Sequence, residues 1–441
     1  MRRPAAVLAA VLVLGASALG CRQAQPDRMP DGRIPVRVFL LLISTDQVAF
    51  YDWAERAFEA AHPDIDVIVE QFPGSSLKDF EIKLRLRFSS GQAPDLFHVN
   101  ANVAAELAAL GLLAPAPPRI VEMTEENSLN ALVRTAARFD GTPYGIVSDG
   151  VWTALYYNKD HFREAGLDPE RPPETWDELI EYADRLTVRN AAGEPVRAGL
   201  SLRKSGFKAG TAEKWMTFLY SAGGQAYSED GTRAAFDSEA GRAALGFYHT
   251  VLFDKKIDSV EHEGDQQGFG QGRVAMFLRE PHVMGWLRDN YPDLDYGVAP
   301  VPRRDTSLSS AGTYLFAVSE DSPNPDAAWR FAEFLLSDSV YARYTSAAGV
   351  LPVTESVAAL PRYVEDEGMQ VFLNQPARDA GGFPRASRAA DILGAYIERF
   401  CYGHLDAETT LERAARDVDA VLAPNRRLTA DAAPTAAPST D

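Results

Sequence analysis

Cysteine is nearly absent from this chain: 441 residues contain two, Cys21 and Cys401. That excludes a small disulfide-stapled fold, and a chain of this length buries a core without one. Cys401 lies in an apolar stretch, residues 395–402, and reads as a small buried hydrophobe. Positive charge is scarce as well. Forty-four Lys and Arg against 62 Asp and Glu leave a net charge of −18, or −20 once Arg2 and Arg3 are removed. Nucleic acid, whose phosphates call for a basic surface, is excluded as a partner. So is peripheral binding to anionic lipid. The seven histidines are scattered, and His262-Glu263 lacks the second histidine of a zinc motif. No metal or other cofactor is expected. No G-x-S-x-G elbow and no Walker A loop occurs. No run reaches the roughly 18 consecutive apolar residues of a membrane-spanning helix. What is present is a globular composition, 46% hydrophobic and 10% aromatic, in a length that suggests two or three domains.

The N-terminus sets the compartment. Arg2 and Arg3 precede a run of small and apolar residues, 5–18, of the length of a signal h-region. It ends Ala18-Leu19-Gly20-Cys21. This resembles a bacterial lipoprotein box, in which cleavage precedes a lipid-bearing cysteine. It departs from the usual pattern, which has Leu three places and a small residue two places before the cysteine. The alternative is an ordinary signal with an incidental cysteine. The expectation is therefore a signal peptide over 1–20, a lipid on Cys21, a polar tether over 21–33 and an extracytoplasmic, membrane-anchored protein. The Ala/Pro/Thr-rich residues 424–441 are predicted to form a disordered tail.

Strand and helix patterns alternate between these ends. Residues 36–43 and 65–72 are apolar runs of strand length, and residues 95–99 make a third strand. Phe50, Trp53, Ala57 and Phe58 have helical spacing, as do Leu77, Phe80, Leu84 and Phe88. A helix over 103–110 is stopped by Gly111. The order β-α-β-α-β-α indicates a mainly parallel sheet covered by helices. A second such region starts near Trp152. Residues 153–158 read as a strand, and Thr175-Trp176-Asp177-Glu178 has capping-box spacing. Residues 238–252 read as a helix, 274–278, 296–300 and 316–319 as strands. Asn324-Pro325 opens a helix. Leu411, Ala415, Val418 and Leu422 trace the last one.

Five passages in this chain resemble the extracellular solute-binding proteins of the maltose-binding-protein-like group. They are residues 58–67 (FEAAHPDIDV), 91–96 (GQAPDL), 155–160 (LYYNKD) with 165–168 (AGLD) and 175–179 (TWDEL), 272–276 (GRVAM) and 324–329 (NPDAAW). Each is weak alone; five in family order span residues 34–422. The resemblance implies an α/β fold of two lobes joined by crossing hinge segments, with ligand captured between them by closure. Lobe one is expected over 34–144 with 312–344, and lobe two over 152–301 with 351–423. The crossings are placed near 144–151, 302–311 and 345–350. The implied function is an ABC-importer binding component for a sugar or small oligosaccharide. Its partners would be that ligand and the permease subunits, and the protein is expected as a monomer.

A sugar offers C–H faces to aromatic rings and hydroxyl edges to planar polar groups. Ligands in open α/β sheets lie off the carboxyl ends of strands. The candidates are Ser44 and Asp46 after the first strand, Asn100 and Asn102 after the third, and Tyr144, Asp149 and Trp152 at the first crossover. Trp215, read with Lys214 as the start of a lobe-two helix, and Glu280 are taken from lobe two and Tyr314 from the return crossover. Asn100 and Asn102 are equally placed to cap a helix, and Trp215 to lie in the core. Trp286 is read as packing. A polyamine or phosphodiester ligand stays open. A ferric site is disfavoured, because Tyr156 and Tyr157, adjacent on a strand, point to opposite faces. The rival of another class is a secreted carbohydrate-active enzyme such as a glycoside hydrolase, which needs two carboxylates facing across a cleft. A sensory partner in place of a permease would leave the same sequence.

Overall fold

A computed structural model describes residues 27–73, 76–262, 264–379 and 381–425. Cys21 and residues 426–441 lie outside them.

The first sheet is built as the apolar runs predict. β1 (Ile34–Leu40) lies between β2 (Ile65–Gln71) and β3 (Leu96–Asn100), parallel to both, with Val38 opposite Leu96. Helices α1 (Thr45–Ala61), α2 (Leu77–Ser89) and α3 (Ala101–Ala109) supply the covering layers. Phe50, Phe58, Phe80 and Leu84, spaced by helical turns, are buried.

The chain reaches the second lobe through a strand instead of a loop. β4 (Gly145–Trp152) continues past Thr153 into β5 (Ala154–Asn158). β5 lies between β6 (Met276–Arg279) and β7 (Tyr296–Ala299), antiparallel to both. The pairing direction thus departs from the mainly parallel sheet expected for this lobe. The physical reason is that long connections, not short βαβ crossovers, bring these strands together, so chain direction is unconstrained. Tyr156 packs against Phe277 and Tyr157 against Phe162, on opposite faces of β5. Helices α4 (Trp176–Leu186), α5 (Lys208–Ser221) and α6 (Glu239–His249) cover this lobe. Thr175 Oγ1 caps α4 by accepting from Glu178 N at 3.2 Å.

The return strand β8 (Ser309–Val318) pairs antiparallel with β3 on one side and β4 on the other. The first two crossings therefore meet side by side. Ser309 Oγ accepts from Thr153 N and donates to Thr153 O, both at 2.8 Å. Crossing occurs at Thr153 and Ser309–Ser310, while residues 145–152 belong to the first sheet. Helices α7 (Pro325–Leu335) and α8 (Asp338–Ala348) follow. Asn324 stands at the N-cap of α7, but its side chain turns away and Nδ2 donates to Pro35 O.

The third crossing is not at 345–350. Gly349, at φ +64°, ends α8 and turns the chain back along lobe one. Leu351 bridges Gly150, and Val353 N donates to Tyr341 OH at 2.9 Å. Tyr363 OH donates to Thr345 Oγ1 at 2.7 Å. Only after it does α9 (Glu367–Asn374) reach the other lobe, where Phe372 lies 6.1 Å from Tyr156. The short strand β9 (Ala377–Asp379) then joins β8 in parallel. α10 (Ala386–Cys401) and α11 (Ala407–Leu422) close lobe two. Cys401 is buried there, and burial pushes its thiol up to about 12. The fold continues past the tail boundary set at 424. Asn425 is buried and donates to Gly231 O and Pro384 O.

Candidate functional site

A cleft of about 350 Å³ opens between the lobes beside the β4–β8 ribbon. A second compartment of about 150 Å³ adjoins it, sharing Leu77, Val151, Phe207, Glu213 and Tyr314.

Asp149 owes its position to a bulge. Tyr314 pairs with Asp149 and Leu315 with Val147, so Ser148 is the extra residue. A bulge re-aims the side chains beyond it. Asp149 and Val151, two apart on one strand face, line the cleft. Asp149 is 3% exposed. Its Oδ2 accepts from Tyr344 OH at 3.0 Å and lies 2.9 Å from Ser148 Oγ and 3.1 Å from His98 Nε2. None of these three groups engages Oδ1. The Tyr314 ring stacks on His98 with centroids 5.5 Å apart. Burial, and secondarily the Asp149 charge, raises the Tyr344 hydroxyl well above its ordinary range, so it stays protonated and donates.

The facing wall carries Glu280 under opposite conditions. Lys214 Nζ pairs with Oε1, and Arg279 Nε donates to Oε2 at 2.8 Å. Lys214 is itself 3% exposed and also donates to Thr153 Oγ1 at 2.9 Å. Arg279 reaches Asp265 as well. Burial pushes the Glu280 carboxyl up, but Lys214 and Arg279 outweigh it and hold it well below the usual range. The expected free acceptor of hydroxyls is therefore a carboxylate with both oxygens occupied by cations.

The other candidates divide. Tyr314 lines both compartments, while Asn100 and Asn102 line the second. Asn100 is a cap: its Oδ1 accepts from Val103 N and its Nδ2 donates to Glu81. Asn102 Oδ1 accepts from Gly382 N at 2.6 Å, an interlobe contact. A Cβ on Gly381 would sit 1.7 Å from that oxygen, so the approach needs glycine. Ser44 and Asp46 line neither compartment. Ser44 Oγ caps α1 from Gln47 N, while Gln47 Oε1 accepts from Ile43 N, a capping box that uses the polar groups locally. Tyr144 stacks on Phe139 at 6.2 Å in a separate hollow.

Both tryptophans are corrections. Trp152 is 3% exposed and covers Gly150, where a Cβ would lie 1.6 Å from its ring. Strand alternation sends residues 150 and 152 away from the face that carries 149 and 151. Trp215 is fully buried against Phe236. It was read as the start of a helix, but α5 begins at Lys208, so position 215 falls two turns inside and faces the core. Trp286 packs on Tyr291, as expected.

Sequence reasoning missed Tyr344, His98, Arg203, Phe207 and Glu213, all of which line the cleft. Gly206, at φ +96°, turns the chain so that Phe207 stands at the start of α5, 46% exposed. Arg203 makes no hydrogen bond or ion pair with a carboxylate among the described residues. The signal for Phe207 was an aromatic beside a Ser-Gly turn before a helix; Tyr344 left none.

The family model of bacterial extracellular solute-binding proteins matches residues 44–342. The chain belongs to that family. Among its relatives, a binding protein of Brucella abortus is 27% identical over 88% of this chain and 93% of that protein. A maltotriose-binding protein of Pyrococcus abyssi is 24% identical, covering 78% and 72%. An sn-glycerol-3-phosphate-binding periplasmic protein of Brucella melitensis is 24% identical, covering 76% and 82%. The solved structure of an ABC transporter solute-binding protein of Thermotoga lettingae with α-D-tagatose superposes with a TM-score of 0.75. It is 25% identical, over 88% of this chain and 99% of that one. No helix among the described residues is long and apolar enough to cross a membrane.

Proposed function

We propose that this protein captures a sugar or small oligosaccharide between its lobes and delivers it to the permease of an ABC importer, held at the membrane by a lipid on Cys21. The observation that carries the reading is Asp149. A buried carboxylate at the hinge ribbon has one oxygen engaged by Tyr344, Ser148 and His98 and the other left for a ligand hydroxyl. The tagatose complex and the maltotriose-binding relative support a carbohydrate ligand. An enzyme is disfavoured on the same geometry. Glu280, the carboxylate across the cleft, is clamped by two cations and cannot serve as a general acid at neutral pH.

Calorimetric titration against a carbohydrate library tests the reading. Binding of at least one sugar, abolished or weakened by Asp149→Ala, supports it; no sugar binding, or binding indifferent to Asp149, defeats it. A ligand at a hundredfold excess over Kd raises stability by about 2.7 kcal/mol, so thermal shift serves as the screen. The anchor is tested by Cys21→Ser: membrane partition of the wild type and release of the variant are expected. Small-angle scattering should show a smaller radius of gyration with bound ligand if the lobes close.

A second reading has its own observation. Arg203 presents a guanidinium without a carboxylate partner to the cleft, and one relative binds sn-glycerol 3-phosphate. Glycerol 3-phosphate in the same titration, with Arg203→Gln as control, decides between a phosphate and a neutral sugar.

A further inference from the structure

We infer that the ligand is a glycoside bearing an apolar substituent, an alkyl or aryl group, in place of a wholly polar sugar. This rests on the carbohydrate reading and narrows it. Besides Asp149, Arg203 and Glu280, the larger compartment carries apolar side chains drawn from both lobes, among them Leu41, Ile43, Leu77, Phe80, Phe207 and Val350. Two of these are open to solvent, Ile43 at 66% and Phe207 at 46%. Ile43 belongs to lobe one, in the β1–α1 loop. Ser44 Oγ and Gln47 Oε1 are used in local capping, so beside Ile43 the strand end brings the cleft aliphatic carbon and the Gln47 amide nitrogen where a hydroxyl-binding loop was expected. Phe207 belongs to lobe two. A pyranose needs aromatic rings for its C–H faces and planar polar groups for its edges; leucine, isoleucine and valine side chains satisfy neither. They match hydrocarbon.

The occupant follows from continuity. The smaller compartment carries Glu81 and Asp379, polar groups suited to hydroxyls, and it shares Glu213, Leu77 and Phe207 with the larger one. One molecule spanning both has a hydroxyl-rich end and a hydrocarbon end. Tyr314 lines both, and Asp149, its partner on the neighbouring strand, lines the larger one.

The experiment compares methyl and hexyl glycosides, as glucosides and maltosides below their micelle-forming concentrations, by calorimetric titration of the purified full chain. The hexyl member should bind at least tenfold tighter. Ile43→Ser and Phe207→Ser, both at exposed positions, should each remove most of that advantage, and Ile43→Ser, whose side chain lines only the larger compartment, should do so with the methyl affinity unchanged. Equal affinity within each pair overturns the proposal while the carbohydrate reading stands. An advantage that survives both variants overturns it too, since the hydrocarbon then lies elsewhere. So does an equal loss for methyl and hexyl members, which makes the two side chains closure contacts between lobes. If only unsubstituted sugars of the library bind, the proposal fails alone; if no carbohydrate of any kind binds, both readings fall together.

Discussion

Asp149 and Glu280 are carboxylates on opposite walls of one cleft, both nearly buried, and they are held in contrasting ways. Asp149 is surrounded by a tyrosine hydroxyl, a serine hydroxyl and an imidazole, all gathered on one oxygen. Glu280 lies between a buried lysine and an arginine, one on each oxygen. Contacts gathered on one oxygen orient a carboxylate and leave acceptor capacity on the other; a cation on each oxygen consumes it. The lobe-one wall therefore leaves a carboxylate oxygen open to the cleft. The lobe-two wall is a strut, which Lys214 ties to the crossing at Thr153. Residue type and burial alone would have assigned the two the same role.

The contrast breaks most visibly in stability. Glu280→Ala removes one of the two carboxylates that the buried Lys214 meets, Glu213 remaining at 3.2 Å, and breaking a buried pair costs up to about 3–5 kcal/mol. Urea melts should show that loss, and the double variant with Lys214→Met should recover part of it. A Glu280 variant of wild-type stability with weakened ligand binding would reverse the assignment.

Acid sharpens the same comparison. The folded-state pKa of Glu280 lies below its ordinary 4.5, so the unfolded chain binds the proton first. Its stabilising contribution is complete above about pH 4.5 and is lost as pH falls through the lower, folded value. Melts of wild type and Glu280→Gln in this range should converge as pH drops; parallel curves would show that the pair contributes nothing.

For Asp149 the effect belongs in affinity. Truncation to Ala should weaken ligand binding by one to two orders of magnitude, about 1.5–3 kcal/mol for a charged hydrogen bond. The unliganded fold should also lose stability, because Tyr344 and Ser148 are left without their acceptor, but less than with Glu280→Ala. Smallest is Tyr344→Phe, which removes one neutral donor to Oδ2, at about 0.5–1.5 kcal/mol. Titration of this variant should show a drop smaller than that of Asp149→Ala; an equal drop would make the tyrosine itself a ligand contact.

Much of the architecture was legible because it is local. Hydrophobic runs of strand length gave β1 to β3, and the capping box at Thr175 gave α4. The five family passages implied the two lobes. The site was legible in part. Asp149, Tyr314 and Glu280 reach the cleft, yet the role expected of Glu280 was wrong, because its cations come from α5 and from its own neighbour on β6. Trp152 was lost to the strand: once residues 145–152 form one, a residue three places from Asp149 cannot share its face unless a bulge intervenes, and the bulge lies on the other side, at Ser148. Trp215 was misplaced with the start of α5, a helix that opens at Phe207 with no side-chain cap to mark it.

The sequence by itself determined the alternation of strands and helices, the acidic surface and the family, since each depends on residues close in the chain or on composition. Tertiary structure decided the chain directions in the second sheet, the place of the third crossing and which carboxylate is free. Those depend on pairs such as His98 with Asp149, Tyr344 with Asp149 and Lys214 with Glu280, separated by 51, 195 and 66 residues. No periodicity encodes such a distance; it is set by how the packed lobes bring strand ends together.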